Sequence, residues 1–390
     1  MNSRRISLSW AGLLIALGAF GAGMSRADVV EIPDPKLEAK IRAWAFIDPS
    51  EPVTAEAIAR IGILLDRGTN GSIESLEGVQ YASGLHSLIV WNGQIHDLTP
   101  ISGLCKLRQL SVPGNRIDSL EPLRGMPALS LVTVSGNLIT DISPLVELPA
   151  LTHLYLSNNR ITDISALRNL HNLATLDLSR NPIDDYTPLL EMRSLESLSV
   201  RRSGLTDISS LSGTTGLTSL DVTGNRIRDL SPLSNINGLE CLYLGENQVD
   251  DLLPLAGMTG MKELDLKDNL INDLSPLAGM VDLEYLNLQG NWISDLAPLT
   301  GLCQLEELYL PYESLDEASI ETHIPTIIAN NPGIHIVYRS VPEPTAVCLL
   351  ACGCLVLCRR KRFKCWGDRL CCSRNRPHRP SPVGPRLGSK

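Results

Sequence analysis

Large aromatic side chains are scarce in this chain of 390 residues, which holds only three Phe, five Trp and eight Tyr. A single large globular core ordinarily draws on such side chains, so their scarcity beside constant Leu and Ile points to burial spread over many small, similar sites. Cysteine is almost missing from the body of the chain. Only Cys105, Cys241 and Cys303 precede residue 348, which excludes a disulfide scaffold. Basic charge is short in the same region: residues 28–358 hold 20 Lys or Arg against 42 Asp or Glu, a net of about -22. The formal charge of -9 therefore conceals an acidic body and a basic tail, since residues 359–390 carry 11 Lys or Arg against Asp368 alone. An acidic body argues against a nucleic-acid partner, because phosphate binding needs a basic face. Catalytic signatures are also missing. No His-Glu-x-x-His, Gly-x-Ser-x-Gly, phosphate-binding Gly-rich loop or EF-hand spacing occurs, and the seven histidines are scattered.

The two ends read as targeting segments. Residues 1–27 begin with Arg4 and Arg5, continue through the apolar stretch Ile6 to Ala22, and place Ser25 and Ala27 before a cleavage point, which is the pattern of a secretory signal peptide. An uncleaved anchor is the alternative, weakened by Gly12, Gly18 and Gly21 inside the apolar stretch. Near the other end, Pro342-Glu343-Pro344 precedes an apolar run over 345–358 and the basic cluster Arg359 to Arg362. Fourteen residues span about 21 Å as a helix, short of a hydrocarbon core of about 30 Å, so the run is a marginal anchor. Residues 341–362 form this segment and 363–390 a Pro- and Arg-rich tail without apolar periodicity, read as disordered. Seven cysteines lie in the run and the tail, where packing or lipidated thiols fit better than zinc, whose ligand spacing is not met.

Between these ends the chain repeats every 22 residues without insertion. Leu or Met opens each unit at Leu85, Leu107, Leu129, Leu151, Leu173, Leu195, Leu217, Leu239, Met261, Leu283 and Leu305. Places four and six are apolar, and the ninth is Asn in eight of the ten full units (Asn115, Asn137, Asn159, Asn181, Asn225, Asn247, Asn269 and Asn291). The thirteenth is Asp in nine and the sixteenth Pro in eight. Alternation at places four and six makes a short strand with one face inward, and stacked units bury that face in a continuous core. The Asn should satisfy buried backbone groups at the turn, forming a ladder from unit to unit. The Asp should cap a short 3₁₀ turn whose Pro lacks an N–H that it does not need. A calcium ladder on this Asp is disfavoured because no second oxygen ligand recurs beside it. Neither a metal nor a cofactor is expected.

The unit Leu-x-x-Leu-x-Leu-x-x-Asn-x-Ile-x-Asp-Ile-x-Pro-Leu resembles the leucine-rich repeat of the internalin family. That resemblance implies an α/β leucine-rich-repeat solenoid: a curved parallel sheet on the concave side, short 3₁₀ turns on the convex side and a helical N-terminal cap. The cap is expected over 28–84, with Asp34-Pro35 opening a helix that turns Leu37, Ile41 and Trp44 inward and Thr54 capping a second that carries Ile58, Ile61 and Leu65. The repeats occupy 85–310 and a C-terminal cap 311–340, with a helix over Ser319–Asn330 bent at Pro325 and a strand over Ile334–Tyr338. The Pro-Glu-Pro segment is similar to the PEP-CTERM sorting signal of exported Gram-negative proteins, which implies an exosortase-like processing partner at Pro342, Glu343 and Pro344. It departs from that signal in running 28 residues beyond the basic cluster.

Two units depart from the repeat. The first has Gly93 in the Asn place, so its turn is expected to be distorted. The sixth carries Ser203 for Asn, Leu205 for Ile and Ser210 for Pro, either one weak unit tolerated among ten or a bend or contact point. Places three, five and seven face solvent and vary while the framework does not. Candidate ligand-binding residues there are Trp91, His153, Tyr155, Tyr243, Asp265, Tyr285 and Tyr309, since Tyr and Trp mark protein or saccharide contact sites, although aromatics also simply suit strands. The expectation is a non-enzymatic surface protein of a Gram-negative-type bacterium, membrane-anchored at least transiently through 345–358, whose concave face binds a protein or a saccharide. A structural component of an exopolysaccharide matrix is the alternative.

Overall fold

The computed structural model describes residues 29–68, 73–311 and 314–338. The expected signal peptide, the Pro-Glu-Pro segment, the apolar run and the tail lie outside them. Among the described residues, no helix is long and apolar enough to cross a membrane.

Among the described residues, thirteen strands form one parallel sheet in which each pairs only with its sequence neighbours. They are β1 (Ile63–Asp66), β2 (Ser87–Val90), β3 (Gln109–Ser111), β4 (Leu131–Thr133), β5 (His153–Tyr155), β6 (Thr175–Asp177) and β7 (Ser197–Ser199). There follow β8 (Ser219–Asp221), β9 (Cys241–Tyr243), β10 (Glu263–Asp265), β11 (Tyr285–Asn287), β12 (Glu307–Leu310) and β13 (His335–Tyr338). Equivalent places of successive units stand directly opposite each other, as Leu264 does Leu242 and Leu286. The inward residues recur as a column: Met261, Leu264, Leu266, Ile271, Leu274, Leu277 and Met280 of the ninth unit are all at most 1 % exposed. No unit could bury these side chains alone, so the core exists only through stacking.

The asparagine ladder forms at all eight places. In each, the amide oxygen accepts from the place-eleven N–H of the preceding unit and the amide nitrogen donates to two place-six carbonyls: Asn137 accepts from Ile117 N (3.0 Å) and donates to Val112 O (3.0 Å) and Val134 O (2.9 Å). On the return path each unit has a 3₁₀ turn, such as Ser231–Leu233. The place-thirteen Asp closes an Asx turn rather than sitting at the N-cap itself. Asp229 accepts from Ser231 N at 2.8 Å and from Ser231 Oγ at 2.9 Å, while Leu230 is the cap residue. Those bonds hold the carboxyls of Asp97, Asp163, Asp185, Asp229 and Asp273 below the usual range.

Place eight carries a feature the repeat pattern hides: its residue is left-handed in all ten units. Gly114, Gly136, Gly224 and Gly290 suit that conformation, but Asn92, Asn158, Arg180, Arg202, Glu246 and Asp268 adopt it too, with φ between 50° and 58°. The turn of the first unit is therefore kept rather than distorted. Gly93 is buried there because a side chain would meet the Asn115 amide oxygen and Ile73 O, both under 3 Å from where its Cβ would stand.

At the N-terminal end α1 (Pro35–Ala45) and α2 (Ala55–Ala59) form, with Thr54 Oγ1 accepting from Ala57 N. Leu37 and Ile41 are buried as expected, but Trp44 is 42 % exposed. The second helix is shorter than expected: Ile61 follows it, and Leu65 belongs to β1, which extends the sheet by one strand before the first repeat. That strand lies against α1, whose Lys40 Nζ reaches the buried Asp66 carboxylate at 3.1 Å. Asp34 ties the cap together, accepting from Lys36 N and Leu37 N with one oxygen and from Glu74 N and Ser75 N with the other. Burial raises its pKa, but the four amides together hold it below the ordinary value.

The closing helix begins with a π turn over Ser319–His323 and continues as α3 (Ile324–Asn330). Pro325 sits at the junction where the π turn passes into α3. Beyond it Asn331 ties the closing helix to the last unit by a different bridge from the ladder, accepting from Leu305 N and donating to Leu302 O and Ile327 O.

Candidate functional site

Places three, five and seven point away from the core in every strand, so neighbours on this face follow from the register. Across β10, β11 and β12 the place-three column reads Glu263, Tyr285, Glu307. Across β9 to β12 the place-five column reads Tyr243, Asp265, Asn287, Tyr309. Side-chain contacts then link the columns. The Tyr243 hydroxyl donates to Glu263, and the Tyr309 hydroxyl donates to Glu307 Oε2 at 3.0 Å. The Tyr285 and Tyr309 rings lie 5.6 Å apart at a tilt of 48°. Asp265, buried beneath them, accepts from Lys267 N at 2.9 Å and from Asn287 Nδ2 at 3.3 Å.

Electrostatically this patch is poised against negative charge. Burial pushes the carboxyls of Asp265 and Asp221 above the ordinary range, with the Asp221 charge raising Asp265 further and the Asp177 charge raising Asp221. Burial likewise raises the Tyr243 hydroxyl, with Glu263 adding to it, and the Tyr285 hydroxyl, with Asp265 adding to it. Nearby lysines are held by other acids: Lys267 Nζ lies 3.1 Å from Asp268, and Lys262 pairs with Glu240. Arg201 is 3.5 Å from Asp221.

Of the expected site residues, the structure brings Tyr243, Asp265, Tyr285 and Tyr309 together. The other three stand apart. Trp91 follows β2, with its indole N–H on Ser111 Oγ at 3.0 Å and the Arg67 guanidinium 5.3 Å from its ring. His153 and Tyr155 are on β5, three strands further on and about 14 Å away at ordinary strand spacing. His153 Nδ1 is bonded to Thr152 Oγ1 at 2.8 Å. Ser111, Thr133, Thr175, Ser197, Ser199 and Ser219 fill much of the face between Trp91 and Tyr243. Arg67 and Asn287 were not legible as site residues: Arg67 follows a strand that precedes the repeat register, and Asn287 carries no chemical signal until the register places it against Asp265. Among the described residues, no group of three or more His, Cys, Asp or Glu side chains could hold a metal ion.

Beside the face, Arg202 at place eight reaches across two units to Glu246, 2.9 Å away, lying over Gly224, where a Cβ would stand 2.6 Å from Arg202 Cγ. The ladder is broken at the sixth unit, where Ser203 Oγ bonds Arg201 O and Arg180 N instead of reaching Ile183 N, and the buried Ser210 Oγ finds no hydrogen-bond partner.

Comparison with known proteins supports the repeat assignment. The family described as Leucine Rich repeats (2 copies) matches residues 149–191 and 193–235. An internalin, InlF of Listeria monocytogenes, is 28 % identical over 80 % of this chain and 96 % of its own, with a TM-score of 0.66. The functional domain of InlJ from the same organism is 22 % identical over 78 % of this chain and 69 % of its own, with a TM-score of 0.58. A leucine-rich-repeat protein of Leptospira interrogans is 19 % identical over 72 % and 79 % respectively, with a TM-score of 0.59. No curated protein matches the sequence. The chain thus carries leucine-rich repeats in a fold shared with internalins.

Proposed function

We propose that the protein is an exported, surface-associated binding scaffold, non-catalytic, whose concave face holds another macromolecule, a protein or a saccharide. The observation that carries this reading is the patch of Tyr243, Tyr285 and Tyr309 among Glu263, Asp265 and Glu307 on the solvent-facing side of β9 to β12. Aromatic area at low entropic cost, ringed by charge, is what a contact surface needs and what a repeat framework does not. Export and anchoring rest on the sequence of the two ends, with Pro342, Glu343 and Pro344 as the processing point for an exosortase-like enzyme and 345–358 as the membrane segment.

The test is capture from surface extracts on the immobilised full chain, beside a Tyr243→Ala/Tyr285→Ala/Tyr309→Ala variant shown by circular dichroism to be folded. Partners retained by the native face and lost by the variant support the reading. Identical retention by both places binding elsewhere, and the absence of any specific partner rejects a binding role.

A further inference from the structure

We propose that the Tyr285 ring is a seat for an arginine side chain presented by a basic protein segment. This inference rests on the concave face being a binding surface and names what that surface recognises. Tyr285 is flanked in its own column by two glutamates, Glu263 on β10 and Glu307 on β12, each one strand spacing away. Both are oriented by tyrosine hydroxyls, Glu263 by Tyr243 and Glu307 by Tyr309, so the row runs Tyr243, Glu263, Tyr285, Glu307, Tyr309. Each hydroxyl occupies one lone-pair site of a carboxylate that has about four, leaving acceptor capacity on either side of the ring.

Three consequences follow. The donors of Tyr243 and Tyr309 are spent inside the protein, so this patch offers acceptors and ring faces rather than hydroxyl donors. Tyr309, tilted at 48° with its centroid 5.6 Å from that of Tyr285, forms a second aromatic wall. Asp265, buried on the diagonal, adds an acidic group in the place-five column beside the row, bonded to Lys267 N and Asn287 Nδ2. A cation over an aromatic face between carboxylates answers all three at once. A guanidinium does so best, because its plane stacks on a ring while its edge donates two parallel bonds to a carboxylate, which a lysine ammonium cannot do. The residues already in place do not fill this role: Lys267 is turned to Asp268 and Lys262 to Glu240.

The experiment uses the full chain and fluorescently labelled hexapeptides of alternating Gly with Arg, Lys or Glu, followed by anisotropy, with a neutral dextran oligosaccharide as competitor. The Arg peptide should bind, the Lys peptide more weakly and the Glu peptide not at all, with affinity falling as salt is raised. Tyr285→Leu should weaken Arg-peptide binding about two- to thirtyfold, the range of a cation–aromatic contact. Glu307→Gln should weaken it as well, whereas Tyr81→Leu, an exposed aromatic in the turn before the first repeat, should not. Should Tyr285→Leu fail to fold, Glu307→Gln and Glu263→Gln carry the same decision. Equal affinity for the Arg and Glu peptides, displacement by dextran, or unchanged binding by folded Tyr285 and Glu307 variants would each overturn the proposal. If surface partners are captured in a tyrosine-dependent manner while no Arg peptide binds, the arginine seat falls and the binding role stands. If neither occurs, both fall.

Discussion

Replacing Asn225 with Ala should cost more than the same change at any other rung of the ladder. In an ordinary rung the losses are partly covered by neighbours. Removing the Asn159 amide strands Ile139 N, but Val134 O still accepts from Asn137 and Leu156 O still accepts from Asn181. One buried group is orphaned, at about 1–3 kcal/mol. Asn225 adjoins the unit in which Ser203 stands in the asparagine place. Its amide oxygen accepts from both Ser203 N and Leu205 N, each at 3.0 Å, and its nitrogen donates to Val200 O and Val222 O, each at 2.7 Å. Val222 O keeps Asn247 as a donor after the substitution, but Val200 O is served by no other rung because Ser203 cannot reach it. Three groups are then orphaned, one of them near solvent, giving about 3–5 kcal/mol. Urea unfolding of the full chain, followed by far-ultraviolet circular dichroism with the slope checked for constancy, measures both losses. Equal destabilisation by Asn159→Ala and Asn225→Ala would refute the accounting, because it would mean that the rungs act independently of what their neighbours supply.

Four further outcomes are expected. Ser210→Pro should stabilise by about 1 kcal/mol, since it removes a buried hydroxyl without a partner and restores the residue that eight other units use; a loss in the urea midpoint would contradict this. Arg180→Gly should also stabilise by about 1 kcal/mol, because Arg180 holds φ at 55° against the side-chain penalty of the left-handed region, and the same melts decide it. Asp34 has a folded pKa below its unfolded one, so its contribution is present at neutral pH and lost as pH falls through the ordinary Asp range; Asp34→Asn should be less stable at neutral pH and should flatten the acid limb of the stability profile. Asp265 has the opposite sign, its ionised form disfavoured by burial, so Asp265→Asn should raise stability at neutral pH while weakening Arg-peptide binding, and no gain in stability would show that its charge is already compensated.

The architecture was legible because it is periodic. A constant spacing of 22 residues fixes strand register, core columns and ladder positions together, and the only assumption needed is that an apolar face must be buried by its neighbours. What was not legible had no period or a mixed signal. β1 stands 24 residues before its partner and lacks the Asn, so Ile61 and Leu65 read as a helix face. Place eight is left-handed throughout, but four of its ten residues are Arg, Glu or Asp, which masks the Gly and Asn that announce the conformation. The Asn331 bridge to Leu305 N and Leu302 O was invisible because it enters from the end of the closing helix and is set by tertiary packing alone.

The candidate site divides along the same line. Its membership follows from arithmetic, since Glu263, Tyr285 and Glu307 differ by 22 and must lie side by side once the register is known. Its chemistry does not, because rotamers decide whether a tyrosine hydroxyl meets solvent or a carboxylate. Here two hydroxyls turn inward onto the glutamates that flank a third ring, and this converts a patch that composition describes only as aromatic and acidic into an ordered row of acceptors and ring faces. Trp91, His153 and Tyr155 show the contrast. They share the same kind of position, yet Trp91 is already covered by Arg67 and bonded to Ser111, and His153 to Thr152. A solenoid therefore offers the same three outward places in every unit, and what distinguishes one stretch as a binding surface is how the side chains there satisfy one another and which charges they leave unmet.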